Sequence, residues 1–333
     1  MTGKVIKIFS DFYYVKSGDF IVECKLREFF KKAGISVLVG DNVEIEDYNP
    51  VSNQGAISKI LDRKNELARP SVANIDIVVL VISLKSPIIE YKQIDRYLAQ
   101  AIQFGLNLII CVNKSDLLIK EEKEDFKKLY EKLGYKVIFT SATKKTGLDE
   151  LKKEIAGKTA ILSGASGVGK SSIINAFDPE LSLKTKKISR KTARGTHTTR
   201  HCELFNIDNT TSVLDTPGFS LLKFDNMQPK EVEKFFGEIA EYAYFCKYSD
   251  CLHVNEEGCS VLENLDKISQ SRYQSYLSIL EEARQYKEKI KQQGVKTESK
   301  VKTVHNKQIL KVSTKKRDDS RKKLKQNLSK YFD

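Results

Sequence analysis

The chain has 333 residues, of which 40% are hydrophobic, so it is long enough to bury a core and to form about two or three domains. No apolar run approaches the roughly eighteen residues that a membrane-spanning helix needs, and the amino terminus carries no basic and then apolar export signal. These features argue against a helical membrane protein and a secreted protein. We expect a cytoplasmic protein without a membrane partner.

The formal net charge of +13 is concentrated near the carboxyl terminus. From Arg284 to Asp333 there are 17 Lys and Arg against 5 Asp and Glu, which gives this segment +12 and leaves the rest nearly neutral. Runs such as Lys315–Arg317 and Arg321–Lys325 would neutralise phosphates and give salt-sensitive binding to nucleic acid. The alternative is a solvated charged tail, and we expect residues 289–333 to be flexible.

Residues 1–68 contain five short β-type runs separated by turn signals such as Gly40-Asp41. This pattern predicts a small β-barrel of the oligonucleotide-binding (OB) type. Aromatic and basic residues interleave along these runs, which would suit base stacking on RNA, but aromatic rings also fill barrel cores, so both interpretations stay open. The predicted strands are Val5–Phe9, Phe12–Val15, Phe20–Cys24, Asn42–Glu46 and Ala56–Ile60.

Between residues 69 and 224, apolar runs alternate with amphipathic segments, which predicts an α/β domain with a mostly parallel sheet covered on both faces. In such domains ligands bind beyond the carboxyl ends of the strands. The predicted strands are Ile75–Ile82, Leu106–Val112, Lys136–Thr140, Thr159–Ser163, Glu203–Ile207 and Thr211–Leu214. The predicted helices are Gln93–Phe104, Glu122–Leu133, Leu148–Ile155 and Lys170–Phe177.

A phosphate loop of the pattern G-x-x-x-x-G-K-S stands between the strand that ends at Ser163 and the helix that begins at Lys170. Its glycines let successive backbone N–H groups point at the β-phosphate, while Lys170 would reach the β- and γ-phosphates and the Ser171 hydroxyl would ligate Mg²⁺. The strand before and the helix after the loop support this interpretation. The predicted nucleotide-binding residues of this loop are Gly164, Ala165, Ser166, Gly167, Val168, Gly169, Lys170, Ser171 and Ser172.

A guanine-reading motif, Asn113-Lys114-Ser115-Asp116, follows the strand that ends at Val112. The Asp116 carboxylate would accept from the ring N–H and the exocyclic amine of guanine, two donors that adenine lacks. Ser141-Ala142, after the next strand, would offer a backbone N–H to the guanine carbonyl oxygen. In an ordinary nucleotide switch the phosphate loop precedes the base-reading loop, whereas here it follows. The order predicts a circularly permuted GTPase domain.

The sequence Asp215-Thr216-Pro217-Gly218 follows the last predicted strand of this domain. Asp215 would hold Mg²⁺ through water, and the Gly218 N–H would sense the γ-phosphate. The next residue, Phe219, stands where many GTPases carry the glutamine that orients the attacking water. Because an apolar ring cannot orient water, we expect slow intrinsic hydrolysis unless another group completes the site.

His197 is the candidate for that missing group, since it lies between the phosphate loop and Asp215. The alternative is an ordinary solvated loop histidine. Its neighbours Thr198 and Thr199 are candidate Mg²⁺ ligands, and the sequence does not distinguish between them. Lys170 and His197 are therefore the predicted catalytic residues.

Three cysteines and a histidine near the carboxyl end of the chain offer the ligands of a structural Cys₃His zinc site. They are Cys246, Cys251, His253 and Cys259. Four protein ligands would leave no open position, so the metal would stabilise a small domain without taking part in a reaction. The spacing is not the paired Cys-x-x-Cys pattern, and the alternative is a set of free thiols in a helical region. The remaining cysteines, Cys24, Cys111 and Cys202, lie in or beside predicted strands and suit small buried positions.

The order of these motifs, from Asn113–Asp116 to the cysteine cluster, resembles the ribosome small subunit-dependent GTPase A family of circularly permuted GTPases. The resemblance includes the segment Arg69–Asp76 and covers residues 1 to about 285. It implies an amino-terminal OB barrel, a permuted GTPase domain and a carboxyl-terminal, mainly helical zinc domain. It also implies that the small ribosomal subunit stimulates hydrolysis, that His197 is the catalytic group, and that the protein acts late in small-subunit maturation.

We therefore expect a GTP hydrolase that uses Mg²⁺ with GTP, holds one structural Zn²⁺, and has the small ribosomal subunit and its rRNA as partners. One alternative is a GTPase acting on another RNA or ribonucleoprotein, and another is an RNA-binding protein that holds GTP with little turnover. No heptad run suggests more than a monomer. The expected division is 1–68 for the barrel, 69–224 for the GTPase domain, 225–288 for the zinc domain and 289–333 for the tail.

Overall fold

The computed structural model describes residues 1–68, 70–178, 203–208, 210–215, 224, 227–292, 301–304 and 307–310. These residues form an amino-terminal barrel, a central α/β sheet and a helical unit that contains the cysteine cluster. Among them, no helix combines the length and the apolar character that crossing a lipid bilayer requires.

The amino-terminal barrel is built of five strands, and all five predicted runs are confirmed. They are β1 (Thr2–Phe9), β2 (Phe12–Ser17), β3 (Phe20–Leu26), β4 (Asn42–Asn49) and β5 (Gln54–Ile60), with the short helix α1 (Glu28–Lys32) before β4. Successive side chains point to opposite faces of a strand, so Val43 and Ile45 of β4 are buried while Glu44 between them is partly exposed. Strand β3 runs parallel to β5, and pairing of β1 with β4 closes the barrel.

A short hairpin of β6 (Glu66–Ala68) and β7 (Ser71–Ala73) connects the barrel to the next domain. Arg63, just before it, donates to both carboxylate oxygens of the fully buried Asp41, at 2.7 and 2.8 Å. Gly40 has φ +96°, and a Cβ there would lie 2.1 Å from the Ala73 carbonyl oxygen. The barrel and the connecting hairpin are therefore in direct contact.

The central sheet has the strand order β10-β9-β8-β11-β13-β12, and its first five strands are parallel. Strand β12 pairs antiparallel with β13, so the predicted, mostly parallel sheet is confirmed. Its strands are β8 (Ile77–Ile82), β9 (Asn107–Val112), β10 (Lys136–Phe139), β11 (Thr159–Ser163), β12 (Glu203–Asn206) and β13 (Ser212–Asp215). Its helices are α2 (Tyr91–Gln103), α3 (Lys120–Glu131), α4 (Leu148–Ile155) and α5 (Lys170–Phe177).

Both faces of this sheet are buried, as the continuous apolar sequence of β8 requires. Val78, Leu80 and Ile82 belong to a core shared with α2 and α3. The alternate residues of the same strand point to the other face, where they pack in a core shared with α4 and α5. The sheet thus lies between two layers of helices. Because its first five strands run parallel, their carboxyl ends lie at the same edge of the sheet.

Among the described residues, the barrel and the central sheet form one continuous sheet of 11 strands, because β1 also pairs with β12. Lys7 lies opposite Glu203 at this junction, with its Nζ 3.3 Å from the carboxylate. Lys4 Nζ donates to Thr159 Oγ1 at 2.9 Å, and burial lowers the pKa of Lys4 despite the attraction of Asp76. This junction was not predicted from the sequence.

The residues after the GTPase motifs form a mainly helical unit, as predicted. Its elements are a 3₁₀ helix (Pro229–Phe235), α6 (Gly237–Ala243), α7 (Ser260–Glu263), a second 3₁₀ helix (Leu265–Lys267) and the long helix α8 (Gln270–Gln292). The boundary expected at residue 289 falls inside α8. Within the segment predicted as a tail, β14 (Val301–Val304) and β15 (Lys307–Leu310) pair as an antiparallel hairpin.

Helix α8 packs on α2 through a buried polar network. Arg272 of α8 donates to Asp95 of α2 at 2.8 Å, and the two side chains are 1% and 0% exposed. Ser275 donates to the same carboxylate at 2.6 Å, while Arg272 also pairs with Glu238 and lies over the Phe236 ring at 4.5 Å. Because these charges are paired and hydrogen-bonded, they fix the helical unit in one orientation on the GTPase sheet.

Candidate functional site

The phosphate loop leaves β11 at Gly164 and enters α5 at Lys170, at the carboxyl edge of the parallel sheet. Val168 is buried beneath the loop, whereas Ser166 is exposed. Lys170 Nζ donates to the carbonyl oxygens of Gly164 and Ala165 at 2.7 and 3.0 Å. The lysine therefore lies against the curl of the loop, the position from which it could reach a bound phosphate.

Two glycines of the loop occupy positions where a side chain has no room. Gly164 has φ +132°, and a Cβ there would lie 2.0 Å from the Val81 carbonyl oxygen. Gly169 has φ +101°, and its Cβ would lie 2.3 Å from Asn113 Nδ2. Only glycine adopts such conformations readily. The loop therefore lies in close contact with β8 on one side and with the guanine-reading motif on the other.

Asn113 connects three loops at the edge of the sheet. Its side chain is buried, and its Nδ2 donates to the Val168 carbonyl oxygen at 2.9 Å. Its Oδ1 accepts from the Ala142 backbone N–H at 3.2 Å and from the Thr140 hydroxyl at 3.3 Å. One amide thus links the phosphate loop to both loops predicted to read the base.

Lys114 adopts a left-handed backbone conformation, with φ 58°. Its Nζ donates to the carbonyl oxygens of Gly167 and Ser86 at 2.8 and 2.6 Å. The aliphatic part of the side chain therefore crosses towards the phosphate loop, and its ammonium group is held there by two backbone acceptors.

Asp116 is exposed to solvent, and its carboxylate accepts a short hydrogen bond from the hydroxyl of the buried Ser141. This bond is the main reason that the pKa of Asp116 lies below its ordinary value. The same serine oxygen also accepts from the Lys144 backbone N–H at 3.2 Å. Asp116 is therefore an ionised, oriented acceptor, which suits the two N–H donors of a guanine ring.

These loops enclose a cavity of about 330 Å³. This volume lies at the lower end of the range of about 300 to 1,000 Å³ that small-molecule sites occupy. Residues from the guanine motif, the Ser141-Ala142 loop and the phosphate loop line it together. The lining residues are Asn113, Lys114, Asp116, Leu117, Ala142, Thr143, Gly169 and Ser172.

A second site lies in the helical unit, where the ligand atoms of Cys246, Cys251, His253 and Cys259 all lie within 4.8 Å of one another. His253 Nδ1 is 3.3 Å from Cys251 Sγ, 3.4 Å from Cys259 Sγ and 3.6 Å from Cys246 Sγ. Bonds of about 2.3 Å to sulfur and about 2.0 Å to nitrogen place the ligand atoms of a tetrahedral zinc site roughly 3.5 to 3.8 Å apart. The four side chains therefore fit a four-coordinate metal ion.

The protonation of this cluster also suits a metal ion. Burial lowers the pKa of His253, and its Nε2 lies 3.0 Å from Glu233 Oε2, so a neutral ring donates to Glu233 and leaves the Nδ1 lone pair for a metal. Burial raises the pKa of Cys251 to about 12 and raises that of Cys259 as well. Such thiols stay protonated unless a metal ion displaces the proton.

Comparison with known proteins decides the family. A model of the RsgA GTPase matches residues 60–225, and a model of the RsgA N-terminal domain matches residues 2–57. A protein of Agathobacter rectalis named small ribosomal subunit biogenesis GTPase RsgA is 39% identical over 295 residues, which cover 85% of this chain and 98% of that protein. The chain belongs to the RsgA GTPase family. The resemblance drawn from the motif order is therefore confirmed, as is the prediction of a GTP hydrolase.

Other RsgA-family proteins and solved structures agree with this assignment. A protein of the same name from Alkaliphilus metalliredigens is 40% identical over 282 residues, covering 84% of this chain and 97% of that protein. The crystal structure of YjeQ from Thermotoga maritima has a TM-score of 0.72 and 32% identity, covering 85% of this chain and 98% of that chain. YloQ, described as a circularly permuted GTPase, has a TM-score of 0.69 and 34% identity over 85% and 95% of the two chains.

A third family model, of a 50S ribosome-binding GTPase, matches residues 159–315 and so overlaps the RsgA GTPase match in the phosphate-loop half of the domain. Its description names the large ribosomal subunit, whereas the RsgA relatives are named for the small one.

The structure brings together most of the site residues predicted for this RsgA-family chain. The phosphate loop, the guanine motif and the Ser141-Ala142 loop meet at one edge of the sheet, and the predicted metal ligands converge in the helical unit. Asp215 ends β13, beside the strand that leads into the phosphate loop. His197, Thr198, Thr199 and Gly218, together with Phe219 and Cys202, lie outside the described residues.

Sequence reasoning missed three groups that hold these sites in place. Thr140 and the Val168 carbonyl oxygen bond to Asn113, and Glu233 orients His253. Thr140 directly precedes the predicted Ser141-Ala142 loop, so its position was a usable signal. Glu233 lies twenty residues before its partner, and no local pattern marks it.

Proposed function

We propose that this protein is a GTPase assembly factor that binds the small ribosomal subunit, hydrolyses GTP when stimulated by that subunit, and acts late in the maturation of the subunit. The observation that carries this proposal is the 39% identity, over 85% of the chain, to a protein named small ribosomal subunit biogenesis GTPase RsgA. The cavity between the guanine motif and the phosphate loop supports GTP as the nucleotide.

We infer that the nucleotide lies along the carboxyl edge of the sheet, with its base in this cavity. Asp116 would accept from the guanine donors, the Ala142 N–H would meet the carbonyl oxygen, and Lys114 would cover the ring. Residues Gly164 to Ser172 would surround the phosphates, with Lys170 on the β- and γ-phosphates. The bonds of Asn113 to both loops support this arrangement, because they fix the distance between the base and the phosphates.

Hydrolysis requires a polarised γ-phosphate and an oriented water. Mg²⁺ bound with GTP would neutralise the charge that develops on the phosphate oxygens. We propose Ser171, Asp215 and either Thr198 or Thr199 to hold that ion, and His197 to position or deprotonate the attacking water. Since Phe219 cannot do so, turnover by the protein alone should be slow, and contact with the subunit would complete the site.

We propose that the Cys₃His cluster binds one structural Zn²⁺. Its four ligands leave no open position for a substrate, and their separations suit a tetrahedral ion. Tyr273 and Tyr276 of α8 donate to the carbonyl oxygens of His253 and Leu252, at 2.7 and 2.9 Å. The metal would therefore hold this loop against the helix that contacts the GTPase sheet.

We also retain the proposed division into a barrel (1–68), a GTPase domain (69–224), a zinc domain (225–288) and a basic tail (289–333). In this division the tail would contact rRNA through its Lys and Arg residues, and the barrel would contact it through exposed aromatic rings such as Phe9 and Phe20. The naming of the relatives for ribosome biogenesis supports a cytoplasmic site of action. The monomeric state stays a prediction.

The GTPase switch would act on the helical unit through Phe224, the described residue that follows the Asp215 motif. The Arg96 guanidinium of α2 lies 5.2 Å from the centroid of the Phe224 ring and is ion-paired with Glu282 of α8. The same glutamate lies 3.4 Å from the Phe224 backbone nitrogen. We infer that GTP orders the Asp215 motif, that Phe224 passes this change to α8, and that the GTP-bound arrangement favours the subunit.

The test is GTP and ATP turnover by the purified protein alone, with small subunits and with large subunits, each measured also for His197→Ala. We expect GTP hydrolysis to rise strongly with small subunits only, and the variant to lose the increase while binding GTP normally. Stimulation that survives His197→Ala would keep the function but place the catalytic group elsewhere.

Two results would contradict the proposed function. Stimulation by large subunits in place of small ones would favour the activity that the 50S ribosome-binding GTPase match describes. GTP binding without turnover under any condition would favour a protein that holds the nucleotide as a placeholder.

A further inference from the structure

Several aromatic side chains around the metal ligand Cys246 point into solvent. Tyr244 is 85% exposed, Phe245 70% and Tyr248 47%, although rings of this size usually contribute to a core or to an interface. The Tyr244 and Phe245 rings meet edge to face with centroids 5.2 Å apart, and Lys247 Nζ lies 5.2 Å from the Tyr248 centroid. We call Tyr244, Phe245, Lys247 and Tyr248 the aromatic knuckle.

The backbone of the aromatic knuckle is held at several points. The Lys247 N–H donates to the Gly258 carbonyl oxygen at 3.0 Å, and the Cys251 N–H donates to the Tyr248 carbonyl oxygen at 3.3 Å. Cys246 lies within the knuckle and contributes its Sγ to the Cys₃His cluster. Because these bonds hold its backbone, the aromatic knuckle would lose little conformational entropy when a partner buries its rings.

The surroundings of the aromatic knuckle are acidic, unlike the chain as a whole. From Gly237 to Ser269 there are 7 Asp and Glu against 2 Lys, a net charge of −5 in a chain of +13. Exposed carboxylates flank the knuckle closely: Glu241 lies one helical turn before it, Asp250 lies two residues after it, and Glu257 precedes the glycine that bonds Lys247.

We propose that the aromatic knuckle docks on a positively charged protein surface of the small ribosomal subunit. This inference rests on the proposed function, which supplies the subunit as partner. Phosphates of RNA would be repelled by the flanking carboxylates, since binding to nucleic acid depends on neutralising phosphates with Lys and Arg. Exposed Tyr and Phe on a fixed backbone are typical of the centre of a protein–protein interface. Proteins that bind RNA present basic surfaces, and these complement the acidic surroundings of the knuckle.

Photo-crosslinking identifies the class of the partner directly. The full-length protein with Tyr244 replaced by the photoreactive p-benzoylphenylalanine is bound to small subunits with a non-hydrolysable GTP analogue and irradiated. We expect a crosslink to a subunit protein, seen as a mass shift that survives ribonuclease treatment. A crosslink to rRNA, or no crosslink from a bound complex, would overturn the proposal.

Affinity for the subunit gives a second and independent test. The double substitution Tyr244→Ala with Phe245→Ala should weaken binding by about tenfold or more, as expected for residues at the centre of an interface. Ile119→Ala is the matched control, because Ile119 is 61% exposed and lies at the start of α3 in the GTPase domain. It should bind like the parent protein.

Reversing the charge of the flanking carboxylates should change subunit affinity in opposite directions for a basic protein partner and for an RNA partner. Asp250→Lys with Glu257→Lys should weaken subunit binding and slow association if the partner surface is basic. The same change should tighten binding if the partner is RNA, and that result would refute the proposal. Glu121→Lys, at an exposed position on α3, controls for the general effect of added positive charge.

Binding of the unsubstituted protein to small subunits distinguishes a failure of the proposed function from a failure of the docking proposal. If it does not bind small subunits, the proposed function is wrong and this inference is wrong with it. If it binds and every knuckle variant binds equally well, only the docking role of the knuckle is wrong.

Discussion

Gly169 illustrates how a single position can fix the spacing between two halves of a nucleotide site. It lies at the point where the phosphate loop comes closest to Asn113, and its left-handed conformation starts helix α5. The hydrogen bond from Asn113 to Val168 depends on this close approach. A methyl group at residue 169 would have to displace the Asn113 amide, which is buried and bonded on both sides.

Gly169→Ala should therefore lower GTP affinity by about tenfold or more and destabilise the fold. Gly157→Ala is the control, because Gly157 also has a positive φ, +69°, but no atom lies within 4 Å of the added Cβ. Both substitutions carry the backbone strain of about 1 to 2 kcal/mol that an L-residue has in this conformation. Calorimetric titration should show weaker nucleotide binding only for Gly169→Ala, and an equal loss of affinity in both variants would show that the contact with Asn113 is not the cause.

The ion pair between Arg63 and Asp41 allows a test of what stabilises the barrel beside the connecting hairpin. Arg63→Ala would leave the fully buried Asp41 without its ion-pair partner, and breaking a buried pair in this way costs about 3 to 5 kcal/mol. Arg27→Ala removes another Arg–Asp pair from the same barrel, but both of its side chains are largely exposed, so the loss should stay below about 1 kcal/mol. Chemical unfolding of the two variants measures the difference, and equal losses would show that burial does not decide the energy.

At the scale of elements, the sequence predicted strands and helices well but not their distant pairings. The alternation of apolar and polar residues at the start of β4 and the continuous apolar run of β8 are local signals, so both strands were expected. Pairing of β1 with β12 joins residues about two hundred positions apart, and β12 shows no pattern that selects this partner. Likewise, the glycine pattern marked the phosphate loop, whereas nothing local placed Val168 against Asn113.

The Cys₃His cluster allows an element-scale prediction about pH and metal content. Because burial raises the pKa of Cys251 to about 12, metal binding must release thiol protons, and affinity for the metal should fall as the pH falls. We expect about one zinc per chain at pH 7.5 and its progressive loss towards pH 5, measured by metal analysis after dialysis. Cys259→Ser should lose the metal at neutral pH, whereas Cys24→Ser, in the barrel, should keep it. Equal zinc content in these two variants would exclude the cluster as the site.

At the scale of the whole molecule, the permuted order decides which parts of the protein adjoin the switch. Strand β13 ends at Asp215, and the chain then passes Phe224 on its way to the helical unit. On the other side, β12 pairs with β1 of the barrel. The strands next to the γ-phosphate motif are therefore bonded to one peripheral unit and continuous in sequence with the other, so a change in nucleotide state could reach both.

Glu282→Gln tests whether the contacts between Phe224 and α8 transmit the nucleotide state to the helical unit. The substitution keeps the size of the side chain but removes the charge that pairs with Arg96 beside Phe224. In the parent protein, hydrogen exchange of α8 should differ between the GDP complex and the complex with a non-hydrolysable GTP analogue. The difference should correspond to a coupling free energy of about 1 to 3 kcal/mol between the nucleotide site and α8. In Glu282→Gln that difference should shrink towards zero while GTP affinity stays the same.

Glu281→Gln is the matched control, since Glu281 is the exposed neighbour on the same helix and accepts only a surface hydrogen bond from Gln285 among the contacts described for it. It should retain the full difference between the two nucleotide states. If both variants respond to nucleotide like the parent, the ion pair at Phe224 does not carry the signal, and the junction of β1 with β12 becomes the remaining route from the switch to a peripheral unit. If the parent itself shows no difference in α8, the helical unit is insensitive to the nucleotide, and the proposed coupling through Phe224 is wrong.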